Sequence, residues 1–75
     1  MRNITPVFQW AINNGESKII ERILLKLAPE LIRADKQISP GDIERGEPIE
    51  LEPELFNKIK LLAEEFVGQP YTDEL

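Results

Sequence analysis

Pro53-Glu54-Leu55-Phe56-Asn57-Lys58-Ile59-Lys60-Leu61-Leu62-Ala63-Glu64-Glu65-Phe66-Val67-Gly68 is the stretch on which the fold turns. Leu55, Phe56, Ile59, Leu62, Ala63 and Phe66 are spaced so that they share one face of a helix with about 3.6 residues per turn. Pro53 fits the first helical position, where an N–H would have no partner, and Gly68 suits the end. Glu50, Glu52 and Glu54 gather at the N-terminal end, where the helix dipole stabilises each by about 0.3–1 kcal/mol. So wide an apolar face needs a body to pack on.

Working back towards the N-terminus, Thr5-Pro6 opens a first helix over about 6–13, with Thr5 as its cap and Val7, Phe8, Trp10, Ala11 and Ile12 inside it. Asn14-Gly15 stops it with a residue that tolerates positive φ. Ser17 caps a second helix, whose apolar face is Ile19, Ile20, Ile23, Leu24 and Leu27, widened by Leu25. Pro29 disfavours helical geometry at Ala28 and predicts a break or kink there, after which Leu31 and Ile32 pack back on the hairpin.

Between the two helical halves lies a Pro/Gly-punctuated connector at about 36–52. Ser39-Pro40-Gly41-Asp42 has two readings: one helical turn capped by Ser39 and closed by Gly46, or a β-turn on the Pro-Gly pair. Glu47-Pro48-Ile49-Glu50-Leu51-Glu52 alternates polar and apolar and leaves room for a short extended edge segment near 48–52; its proline rules out a central strand. The tail over 69–75 is expected to fray, with Tyr71 pinned to the body.

The fold expected is therefore mainly α, a single small helical domain over 1–75: an N-terminal helical hairpin, the connector, and a C-terminal helix across it. Its expected core is Phe8, Trp10, Ile19, Ile20, Ile23, Leu24, Leu27, Leu31, Leu55, Phe56, Ile59, Leu62 and Phe66. A chain of this size buries only about 60% of the surface its unfolded form exposes. With no cysteine it has neither disulfides nor thiolate ligands to compensate, so oligomerisation or docking on a partner would complete the core.

Charge divides the chain. Residues 1–41 carry a net +2 and residues 42–75 a net −7, for −5 in all. Asp42, Glu44, Glu47, Glu50, Glu52 and Glu54 fall within 13 residues, with Arg45 the one base among them. Such a field repels nucleic-acid phosphates and favours basic protein surfaces. Lys18, Arg22 and Lys26 share a helix face, but Glu21 lies beside them and no aromatic residues interleave, so a solvated face accounts for the row.

Catalytic and metal chemistry find little to work with. The chain has no histidine and no cysteine, which leaves acid–base work to carboxylates, lysine or Tyr71, and the abundant acid pairs read as solvated surface. Asp35, Gln37 and Ser39 match the first oxygen positions of a calcium loop, but Pro40 stands where glycine is needed and Gly46 where the loop ends in glutamate. Neither a metal nor another cofactor is expected. Trp10, the single tryptophan, is either a core anchor or a binding hot spot.

Two resemblances accompany these readings. Phe8-Gln9-Trp10-Ala11-Ile12-Asn13-Asn14-Gly15, with Ile19-Ile20 and Ile23-Leu24, resembles the helical hairpin of an ankyrin repeat. Thr5-Pro6 is one residue out of register with that family's pair, Arg22 stands at a usually apolar position, and no second repeat follows, so the likeness supports a hairpin and not the family's function. Pro48 to Glu65 resembles the strand and first helix of a ribbon–helix–helix repressor, a type common among antitoxins. That likeness implies a dimer whose paired strands enter the DNA major groove. Here Glu50 and Glu52 occupy the reading face, and the second helix would have to start at Thr72.

The function expected is a small acidic adaptor, inhibitor or regulator that binds another protein through a basic surface on that partner and catalyses nothing itself. Trp10, Asp42, Glu44, Glu47, Glu50 and Glu52 are the candidate partner-binding residues. A homo-oligomer is the other way to complete the core, and a dimeric DNA-binding regulator of ribbon–helix–helix type is the alternative function. No apolar run approaches the roughly 18–20 residues that span a bilayer, and the first residues lack a signal-peptide apolar region, so a cytoplasmic protein without a membrane partner is expected, and the acidic field disfavours a nucleic-acid partner. The terminal Thr72-Asp73-Glu74-Leu75 is read as a chance likeness to a retention signal.

Overall fold

The computed structural model describes residues 1–16 and 18–71. Among the described residues, five helices and two short strands follow one another as β1 (Arg2–Asn3), α1 (Thr5–Asn14), α2 (Ile19–Lys26), α3 (Ala28–Arg33), α4 (Pro40–Arg45), β2 (Glu50–Leu51) and α5 (Pro53–Val67). The protein is mainly helical. The expected cap at Ser17 and the expected fraying over residues 72–75 lie outside the described residues.

α5 forms where its apolar spacing places it, with proline in its first turn and Gly68 closing it at φ +84°. It packs on both α1 and α2, which also pack on each other. Leu55, Phe56, Ile59 and Ala63 are its buried positions. Leu62 and Phe66, expected in the core, are partly buried and pack against its edge.

α1 begins one residue earlier than the proline rule suggests, and Thr5 does not cap it. The structural reason is long-range: the Thr5 hydroxyl donates to the carbonyl of Glu47 at 2.6 Å. Asn3 takes over locally, its Oδ1 accepting the Thr5 N–H at 3.1 Å. Gly15 ends α1 in extended backbone, φ −125° and ψ −162°, and not in the left-handed region. Its glycine is required by crowding, since a Cβ would lie 2.8 Å from Ile19 Cδ1 and 2.9 Å from the Ala11 carbonyl oxygen.

The proline at 29 both breaks and restarts the helix. α2 ends at Lys26, Leu27 leaves helical geometry at φ −103° and ψ 13°, and Pro29 lies in the first turn of α3. Two expectations for the flanking residues are overturned. Leu25 is 79% exposed and Ile32 77% exposed, so neither extends the buried face. α3 closes with Asp35 in the left-handed region at φ +58°, its N–H donating to Ile32 and that of Lys36 to Leu31.

Of the two readings of Ser39–Asp42, the helical one is observed: Ser39 Oγ accepts from the Gly41 N–H at 3.3 Å, and Gly46 closes α4 at φ +77°. The extended segment is real but shorter than 48–52. Glu50–Leu51 pairs antiparallel with Arg2–Asn3, with Arg2 opposite Leu51 and Asn3 opposite Glu50. The residues 36–52 are thus more than a spacer: Ile43 and Leu51 are completely buried alongside Ile4, Phe8, Ile23 and Ile59. The core also takes in Ile4, Val7 and Ala11, which stand outside the expected set, while Trp10 and Leu24 stay half-buried at its edge.

Candidate protein-binding surface

The acidic segment is built on three elements and the turns between them. Asp42 and Glu44 belong to α4, Glu47 to the turn that follows, Glu50 to β2, Glu52 to the residue capping α5, and Glu54 to its first turn. In two places an acid–apolar–acid triplet does the work: Ile43 plunges into the core between Asp42 and Glu44, and Leu51 does so between Glu50 and Glu52. Anchoring an apolar residue from the middle of each triplet turns its acidic neighbours outwards.

Hydrogen bonds hold the same segment from its inner side. Gln9 Nε2 donates to the Ile43 carbonyl at 3.2 Å, and Thr5 Oγ1 to that of Glu47. Asn3 Oδ1 accepts the Ile49 N–H at 2.9 Å, and the Ile4 N–H donates to the Ile49 carbonyl, also at 2.9 Å. Every one of these partners lies within residues 3–9. Arg2 adds a cation–π contact, its guanidinium carbon 4.2 Å from the centre of the Phe56 ring.

Arg45 neutralises part of the charge at the α4 end. Arg45 bonds Asp42, and its Nε lies 3.8 Å from Glu47 Oε2. Glu44, Glu50, Glu52 and Glu54 are exposed and ion-paired with none of the described residues. Arg45 sets one positive charge against the six carboxylates between Asp42 and Glu54, which leaves the segment strongly negative. Among the described residues no group of three or more acids converges to hold a metal ion, and no helix is long and apolar enough to cross a membrane. No family model, curated protein or solved structure matches this chain.

Trp10 is placed differently from the acids. Its ring meets Tyr71 edge to face, centroids 5.1 Å apart and planes at 72°, while Thr5 and Gln9 are the α1 residues bonded to the α4 segment. Tyr71 is in turn tethered through its N–H to Glu64 Oε2 at 2.6 Å. The basic row on α2 is not uniformly free in solvent: Arg22 pairs with Glu16 at 3.3 Å and lies 4.8 Å over the Phe66 ring.

Sequence reasoning missed a second surface, the trough between α3 and α5. Its two hollows, about 460 and 390 Å³, meet at Glu30 and Lys58, whose side chains lie 4.0 Å apart across it. Leu27, Leu61 and Leu62 line the smaller hollow, and Leu61 is 61% exposed. The signal was present in the spacing: Glu54, Lys58, Leu61 and Glu65 recur at intervals of four, three and four, a stripe beside the apolar face.

Proposed function

We propose that this protein is a cytoplasmic adaptor, inhibitor or regulator that acts by binding another protein through its acidic surface and carries out no catalysis. The observation that carries this reading is the anchoring of that surface. Glu44, Glu50 and Glu52 are exposed, yet Ile43 and Leu51 between them are completely buried. Carboxylates held in place before binding lose little freedom on docking, whereas the same residues on a loose linker would lose much of their attraction to ordering. A basic partner surface is steered by this field, and exposed apolar residues such as Leu25 and Ile32 supply contact area. Trp10, half-buried beside Tyr71, is the aromatic contact in this scheme.

The test is capture of partners from a lysate, followed by binding measurements with purified partner. Glu44→Lys combined with Glu47→Lys is expected to weaken binding about tenfold or more and to flatten its salt dependence. Unchanged binding to every captured partner would refute the reading. The DNA-binding alternative predicts instead retention of DNA at low salt with a steep loss as salt rises. In its favour, β2 is extended where the repressor likeness puts a strand; against it, β2 is paired with β1 of its own chain and flanked by exposed Glu50 and Glu52.

A further inference from the structure

The exposed stripe of α5 carries a pattern that fits a copy of itself. Lys58, Leu61 and Glu65 lie within about 60° of one another around the helix, since each residue advances about 100°. Leu61 is exposed at the centre, beside the hollow lined by Leu27 and Leu62. With a rise of about 1.5 Å per residue, Lys58 stands about 4.5 Å to one side of Leu61 and Glu65 about 6 Å to the other.

We propose that two copies of this chain associate through α5, antiparallel about a two-fold axis at Leu61. An isologous interface needs a surface complementary to itself, each residue meeting its counterpart reciprocally. Antiparallel pairing about Leu61 supplies this: Lys58 of each copy comes level with Glu65 of the other, and both pairs form at once. Each Leu61 then fills the hollow by Leu27 and Leu62 of the opposite copy. A parallel arrangement would stack lysine on lysine and glutamate on glutamate, so charge selects the antiparallel one. Lys58 is available for this exchange, because its Nζ lies 4.0 Å from Glu30 Oε2, beyond hydrogen-bond distance, and both side chains retain solvent exposure. One helix pair buries less than the roughly 1,200 Å² of a standard interface, so the dimer is a weak, concentration-dependent one. This face meets the acidic surface at the far end of the trough, where Glu52 and Glu54 line the larger hollow, so cross-linking at position 61 and charge reversal at Glu44 and Glu47 test the two proposals separately.

The experiment uses the absence of cysteine from the chain. A single Leu61→Cys substitution places two thiols across the axis, and mild oxidation at high concentration is expected to give a disulfide-linked dimer. Leu25→Cys and Ile32→Cys, each more exposed than position 61, serve as controls for random collision and are expected to cross-link slower by about tenfold or more. Sedimentation of the unaltered protein is expected to show its mass rising with concentration, and Leu61→Glu to hold it at the monomer mass with unchanged circular dichroism. Equal cross-linking at all three positions overturns the proposal. So does a monomer at every concentration, which would leave the trough to a foreign partner, or a dimer that persists in Leu61→Glu.

Discussion

α5 and the segment from Ser39 to Leu51 are of similar length and opposite in origin. α5 runs from Pro53 to Val67 on local signals: a proline at its start, an apolar face at helical spacing, and a glycine in left-handed geometry at its end. The segment before it holds one six-residue helix and a two-residue strand, both far too short to persist alone. What shapes it is the other end of the chain. Thr5, Gln9, Asn3 and Ile4 bond its backbone across 34 to 46 positions of sequence, and Ile43 and Leu51 drop into the core. The lesson is that the region richest in charge is held by its few apolar residues, and that its function as a surface depends on them.

That contrast breaks most sharply at the anchors. Ile43→Ala and Leu51→Ala are each expected to lower stability by about 2–5 kcal/mol, as buried core residues do. Urea denaturation measures this directly. A linker would tolerate either change within about 0.5 kcal/mol. Next in size is Gly15→Ala, which sets a methyl group against Ile19 and the Ala11 carbonyl in the α1–α2 turn. It is expected to destabilise by about 1–3 kcal/mol through overpacking, where a plain helix stop would gain from losing glycine. The smallest effect has the opposite sign. Asp35 holds φ +58° at the end of α3, so Asp35→Gly is expected to leave stability unchanged or raise it by up to about 1 kcal/mol, read as a shift in the thermal midpoint.

How much of this was legible follows the same division. The helices around Phe8, Ile23 and Ile59 and the break near Pro29 could be read locally, because apolar spacing and proline act within a few residues. Leu25 and Ile32 misled, since each continues an apolar run but, at about 100° per residue, Leu25 projects nearly opposite the buried Ile23 and Ile32 turns away from the buried Leu31. β1 left no trace in the sequence: Arg2 and Asn3 are polar, and only pairing with Glu50–Leu51 makes them a strand. Ile43 is a single apolar residue among charges, and its burial depends on contact with α1, which no local pattern encodes. For the candidate surface, the acids themselves were plain, while the rigidity that makes them a surface comes from residues 3–9.

Native-state hydrogen exchange tests that rigidity most directly. The amides of Ile4 and Ile49 donate to the Ile49 carbonyl and to Asn3 Oδ1, bonds that exist only if the acidic segment is seated, while that of Glu47 donates within the segment to Asp42 and reports that α4 is formed. Their protection is expected to fall within about tenfold of that at Ile59 in α5, as for parts of one cooperative unit. Exchange of these three amides at unprotected rates, with Ile59 still protected, would show a loose acidic linker on a helical body and contradict the account.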